Sequence, residues 1–263
     1  MKDLFSIEGK VALVTGGSRG IGEMIAAGFL ANGAKVYISS RKAEVCDATA
    51  DRLAKEYGGE CISIPADLSN LEGISALANE LTSKEKSLDI LVNNAGASWG
   101  EPIEDYSELG WDKVMDTNVK CIFFLTHQLL PLLRKSANAD NTSRVINIGS
   151  IDGIKTGSFD AFSYGPSKAA VHHLTRVLAA RLIKDHIIVN AIAPGPFPTW
   201  MLSTGVGGGD TDIDWSAVGQ SNPSGRVGDA EDIAGLAIFL SSRAGAYTVG
   251  QTIACDGGAV ASS

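Results

Sequence analysis

The stretch Lys10-Val-Ala-Leu-Val14-Thr15-Gly-Gly-Ser-Arg-Gly-Ile-Gly22 decides how the rest of the chain is read. Lys10–Val14 is a short, almost continuous apolar run, as expected of a strand covered on both faces. A glycine-rich turn follows at once and opens a helical pattern near 20–32. The free N–H groups and dipole of a helix N-terminus favour an anion, and glycines let the backbone approach it closely. Gly16, Ser18, Arg19, Gly20, Ile21 and Gly22 therefore form a predicted pyrophosphate seat. A glycine turn alone says little; one set between an apolar strand and a helix says much more.

The same rhythm runs outward to the C-terminus. Further strands are expected at Lys35–Ser39, Cys61–Pro65, Leu88–Val92, Arg144–Ile148, Ile187–Ala193 and Gln251–Cys255. Between them lie predicted helices near 43–57, 71–84, 108–135, 162–184 and 229–242. Strand-helix alternation of this kind gives right-handed crossovers and a parallel sheet with helices on both faces. The expected fold is α/β: a Rossmann fold of one domain over 1–263, with a doubly wound seven-stranded sheet in the order 3-2-1-4-5-6-7. Residues 196–228 break the rhythm, being rich in Gly, Pro, Ser and Asp, and read as a substrate lid.

Composition narrows the partners. The 263 residues suffice for one large domain, and a net charge of -8 argues against nucleic acid or an anionic membrane surface. No apolar run approaches a membrane span, the N-terminus shows no apolar signal region, and a reduced cytoplasmic chain is expected. Cys46, Cys61, Cys121 and Cys255 lack metal-ligand spacing, and His127, His172, His173 and His186 read as helix-face residues, so no metal is expected.

The second strand ends Ser39-Ser40-Arg41 without the carboxylate that would accept from a ribose 2′-OH. Arg41, Arg19 and Ser40 could instead clamp a 2′-phosphate, which predicts NADP(H) as cofactor. Asp67, followed by Leu68, could accept from an adenine amino group; Asp67 or Ser69 could equally cap the next helix. Asn94, Ala95 and Gly96 close the fourth strand where the chain order reverses, the expected ligand crevice. Pro194 and Gly195 end the sixth strand; Phe197 and Thr199 follow them toward the cofactor.

The chemistry is predicted at Tyr164-Gly-Pro-Ser-Lys168 and Ser150. On a helix, side chains four apart meet on one face. A free phenol has a pKa near ~10, and a fixed ammonium beside it brings that value toward working pH. Ser150 could hold a carbonyl oxygen next to the tyrosine, equipment for protonating an alkoxide as hydride reaches a ketone. Trp99, Ile151, Asp152, Phe159, Trp200 and Met201, with Phe197, are the expected pocket and suit a hydrophobic ketone.

Taken together, Thr15-Gly-x-x-x-Gly-x-Gly22, Asn93-Asn-Ala-Gly96, Asn118, Ser150, Tyr164-x-x-x-Lys168 and Pro194-Gly195 resemble the short-chain dehydrogenase/reductase family. The resemblance implies a tetrad: Tyr164 as general acid/base, Ser150 polarising the carbonyl, Lys168 on the nicotinamide ribose, and Asn118 holding a relay water. It also implies a homotetramer through paired long helices, consistent with the 108–135 segment being apolar on more than one face. Within the family the wording is most similar to β-ketoacyl reductases linked to bacterial rhamnolipid synthesis. An acyl carrier protein is then a conceivable partner, but the acidic balance offers only Arg134-Lys135 and Lys184 as basic patches. Two other readings stand beside the ketoreductase: an NAD-linked polyol or hydroxysteroid-type dehydrogenase, and a dinucleotide-sensing protein without turnover.

Overall fold

The structure, a computed structural model, describes residues 3–157, 160–199 and 213–263. Its strands are β1 Val11–Thr15, β2 Lys35–Ser39, β3 Cys61–Ser63, β4 Ile90–Asn93, β5 Ser143–Ile148, β6 Ile187–Pro194 and β7 Thr252–Cys255. All pair in parallel, in the expected order β3-β2-β1-β4-β5-β6-β7. The α-helices are α1 Gly20–Ala31, α2 Ala43–Tyr57, α3 Leu71–Lys84, α4 Glu108–Met115, α5 Cys121–Ser136, α6 Tyr164–Leu182, α7 Trp215–Ser221 and α8 Ala230–Ser241.

Two cores explain the continuous apolar runs. Successive strand residues point to opposite faces, so Ala12 and Val14 join Phe29, Ile38, Ile146 and Ile233 on one side of the sheet. Leu13 joins Leu77, Leu91, Leu125 and Leu129 on the other. Neither face meets water, so there is no polar alternate position. β1 lies between β2 and β4, so the chain leaves the sheet centre in opposite directions there and opens a crevice at the strands' carboxyl ends.

Four local expectations are corrected. The single helix over 108–135 is α4, a π-helical turn over Asp116–Lys120, and α5. One extra residue in the turn leaves the apolar spacing almost unchanged, so periodicity does not register it. The segment 196–228 is not wholly aperiodic, since α7 lies within it, capped by the Asp214 side chain on the Ser216 and Ala217 amides. The cap of α3 is Asn70, whose side chain accepts from the Gly73 amide at 2.9 Å, rather than Asp67 or Ser69. The histidines also divide: His127 and His173 are exposed on helices, His186 takes a left-handed turn at φ 58°, and His172 is buried.

Candidate active site

Tyr164 is the first residue of α6. The start of that helix is held by Ser163, whose Oγ lies 2.6 Å from the Tyr106 hydroxyl and whose amide donates to the same oxygen at 3.2 Å. Further along, a buried polar ladder ties α6 to the sheet. Asn93 Nδ2 donates to Asn147 Oδ1 at 2.9 Å, and Asn147 Nδ2 donates to Thr175 Oγ1 at 2.9 Å. Hydrogen bonds sealed from water are costly to break, so this ladder fixes the helix in register with β4 and β5.

Ser150 stands two residues beyond β5 and caps a short 3-10 turn, its hydroxyl accepting from the Asp152 amide at 3.1 Å. That hydroxyl also lies close enough to the Tyr164 phenol to favour its charged form. Lys168, one helical turn on, is 5% exposed. Its Nζ donates to the Ile148 carbonyl at 2.9 Å and lies 5.5 Å from the centre of the Tyr164 ring. Tyr164 and Lys168 thus share one face of α6, as their four-residue spacing predicts, and Ser150 reaches them from beyond β5.

The electrostatics differ from expectation in one respect. Burial pushes the Tyr164 phenol up to about 12; the Ser150 hydroxyl pulls it down and the Asp152 carboxylate pushes it further up. Burial also pulls Lys168 down to about 8. The ammonium sits beside the ring, yet the loss of water around the phenolate decides the direction of the shift. At neutral pH burial therefore keeps Tyr164 a protonated phenol.

Asn118 is 1% exposed and sits inside the π-helical turn. Its Oδ1 accepts from the Ala97 amide at 2.7 Å, and its Nδ2 donates to the Ala97 carbonyl at 3.0 Å and to Ser167 Oγ at 2.9 Å. Both amide hydrogens are spent, leaving the second Oδ1 lone pair and the main chain for any water. A Cβ on Gly96 would lie 3.3 Å from Asn118 Oδ1 and 3.7 Å from Lys168 Nζ, so these two groups share one small space.

At the nucleotide end, Gly16 has φ +64°, a conformation that side-chain-bearing residues rarely adopt. Gly22 is required by close approach, because a Cβ there would sit 2.4 Å from both Asn94 Nδ2 and the Gly16 carbonyl. Asn94 Nδ2 donates to the Thr15 carbonyl at 2.9 Å, and Thr15 Oγ1 accepts from the Asn94 and Ala95 amides at 2.9 and 3.0 Å. Thr15 thus stitches the turn to β4, a role visible only once β1 and β4 are neighbours.

The N-terminus of α1 carries no side-chain cap, unlike those of α3, α4, α7 and α8. Burial and then the charge of Arg41, beyond the end of β2, lower the pKa of Arg19, which precedes α1. The Ser40 hydroxyl, next to Arg41 in the chain, is buried without a hydrogen-bond partner among the described residues. Uncapped helix N–H groups, two guanidiniums whose charges act on one another and an unpartnered hydroxyl fit a dinucleotide bearing an extra phosphate.

The remaining predicted residues divide. Asp67 is exposed, with Oδ1 accepting from the Ser69 amide at 3.1 Å. Leu68 is buried in the core, leaving its main chain to meet a ligand. Pro194 ends β6, the Gly195 amide donates to the Cys255 carbonyl at 3.0 Å, and Thr199 lies against Gly20 of the glycine turn. Phe197 is committed to packing on Gly228. Trp99 packs on Gly110 beneath the Lys113 ammonium, 4.4 Å from its ring. Ile151 and Asp152 are partly buried beside Ser150, and burial raises the Asp152 carboxyl. Phe159, Trp200 and Met201 lie outside the described residues. No group of three His, Cys, Asp or Glu among the described residues could hold a metal, and no described helix is long and apolar enough to cross a membrane.

This sheet order, with Asn118, Ser150, Tyr164 and Lys168 at its carboxyl edge, defines a class, and the chain belongs to the short-chain dehydrogenase/reductase family. A family model described as enoyl-(acyl carrier protein) reductase matches residues 16–260. Among individual relatives, the rhamnolipids biosynthesis 3-oxoacyl-[acyl-carrier-protein] reductase of Pseudomonas aeruginosa is 51% identical over 98% of this chain and 99% of its own. The 2-dehydro-3-deoxy-D-gluconate 5-dehydrogenase of Dickeya dadantii is 36% identical over 97% of this chain and 96% of its own. An NADP active-site complex of Pseudomonas aeruginosa RhlG superposes with a TM-score of 0.92 at 51% identity, covering 99% of this chain and 100% of that one.

Proposed function

We propose that this protein is an NADPH-dependent ketoreductase that reduces a 3-oxoacyl thioester or similar hydrophobic ketone to a secondary alcohol. The observation that carries the reading is the convergence of Ser150, Tyr164 and Lys168 on one buried point. The 51% identity to a 3-oxoacyl reductase over nearly the whole chain supports the substrate class. The mutual electrostatic influence of Arg19 and Arg41, and likeness to an NADP complex, support NADP(H).

NADPH, when bound on the glycine turn and the Arg19–Ser40–Arg41 seat, supplies the hydride. Ser150 donates its hydroxyl to the ketone oxygen and orients it toward Tyr164. Tyr164, kept protonated by burial, hands its proton to the oxygen as negative charge develops there. Lys168, tethered to the Ile148 carbonyl, stabilises the resulting phenolate, and Asn118 keeps the neighbouring Ala97 backbone in place. Exposed Trp111 and Phe123 on α4 and α5 support an assembly through that face, as a dimer or tetramer.

One observation favours a second reading. Asp152 places a half-buried carboxylate beside the proton donor, where it could accept from a substrate hydroxyl, and gluconate dehydrogenases are among the relatives. A kinetic screen separates the two: 3-oxoacyl thioesters and simple hydrophobic ketones against keto-sugar acids, with NADPH and NADH. Preference for the sugar acids would overturn the ketoacyl reading, and no turnover with any ketone would overturn the enzyme.

A further inference from the structure

Resting on the reading of Ser150 as the carbonyl-holding group, we propose that His172 is its positioning residue: the imidazole is wedged between α6 and the backbone of Gly149 and Gly153, and sets how far the serine turn stands from Tyr164. His172 is 5% exposed and lies one helical turn beyond Lys168. A Cβ on Gly149 would lie 2.1 Å from its Nε2 and 2.6 Å from its Cδ2. A Cβ on Gly153 would lie 2.8 Å from its Cε1, and 2.6 and 2.7 Å from the Lys168 carbonyl carbon and the Ala169 nitrogen. Gly149 thus has no room for a side chain while this ring is present, and Gly153 is held to glycine by the α6 backbone as well as by the ring.

The clamp has a second jaw. The Gly149 amide donates to the Ile192 carbonyl of β6 at 2.7 Å, pinning the turn from the sheet side while the imidazole pins it from the helix side. Within the turn, Ser150 Oγ takes the Asp152 amide, so the hydroxyl moves with the backbone that His172 supports. Nε2 is buried with no hydrogen-bond partner, so at that edge the ring acts by its shape. Burial and the nearby Lys168 and Arg176 charges lower its pKa, which keeps the wedge neutral. Without the ring, the Gly149 end of the turn gains room to shift while Gly153 stays against the α6 backbone, and misplacing a catalytic group by ~1 Å can cost about a hundredfold.

A double-mutant cycle with Ser150 separates positioning from mere core filling. His172→Ala should lower kcat about tenfold while KM for ketone and NADPH stays within about twofold, and His172→Gln, near the original volume, should recover most of the loss. Ser150→Ala should lower kcat by about 10²–10³. In the Ser150→Ala background, His172→Ala should cost nothing further, since there is no hydroxyl left to misplace. Multiplying losses in the double variant, or unchanged kcat in His172→Ala, would overturn the positioning role while leaving Ser150 catalytic. Wild-type activity in Ser150→Ala would instead overturn the assignment of the serine, and this inference with it. Should His172→Ala fail to fold, Gly149→Ala crowds the wedge from the other side. It should likewise lose kcat in the parent and nothing more without Ser150, and additive losses there refute the inference equally.

Discussion

Lys168 offers the sharpest test, because function requires its charge where the fold resists it. No carboxylate contributes to its ionisation, its Nζ donates to a neutral carbonyl, and burial lowers it from 10.5 to about 8. Unfolded, the same group titrates near its ordinary value, so between pH ~8 and ~10.5 the unfolded chain holds a proton that the folded chain has released. Stability from this group therefore rises with pH across that window and is lost as pH falls through about 8. At 1.36 kcal/mol per unit, the difference amounts to about 3 kcal/mol. The perturbation is Lys168→Met, which keeps the stem and deletes the charge. Urea unfolding of both proteins should be followed from pH 7 to 10 at one protein concentration. The wild type should gain about 2.5 kcal/mol relative to the variant over that range, most of the full difference, with reductase activity absent from the variant throughout. Parallel stability curves would refute the claim that the fold pays to hold this charge.

Other expectations follow from the same geometry. Arg41→Asp should raise KM for NADPH by roughly ten- to a hundredfold and spare NADH, the cost of about one or two charge-assisted hydrogen bonds; equal losses for both would remove the 2′-phosphate seat. Tyr164→Phe should cut kcat by about 10²–10⁴ with little change in NADPH affinity measured by fluorescence titration, and residual turnover near wild type would mean another acid acts. Ketone reduction should decline as pH rises through about 8 and Lys168 discharges, whereas alcohol oxidation should climb toward alkaline pH because the Tyr164 proton, held up to about 12, must leave; rates flat from pH 7 to 10 in both directions would contradict this. Gly22→Ala forces a methyl to 2.4 Å from Asn94 Nδ2 and should lower stability by about 1–3 kcal/mol, read as a drop in Tm together with weakened NADPH binding.

Much of the molecule is legible without coordinates because the signals involved are local. An apolar run of five residues ending in a glycine turn admits few structures, and repeated strand-helix alternation fixes handedness and layer order. The convergence of Tyr164 and Lys168 needs only the helical repeat. The π-helical turn around Asn118 left almost no trace in the spacing, and its side-chain partners, Ala97 and Ser167, lie 21 and 49 residues away. Thr15 stood in the quoted motif, yet its grip on Asn94 and Ala95 depends on β1 and β4 being adjacent.

By itself, then, the order of residues determined the sheet, the glycine turn with its Arg19, the Arg41 that follows β2 and the four-residue step that joins phenol to ammonium, since each follows from neighbours along the chain. Burial was decided by the tertiary structure alone. Whether the phenol is made more or less acidic depends on how much water the fold removes from it relative to the charge it places alongside. A histidine that reads as one more helix-face residue became the wedge beneath Ser150 for the same reason: which side of a helix is covered, and by what, is settled by segments far away in sequence.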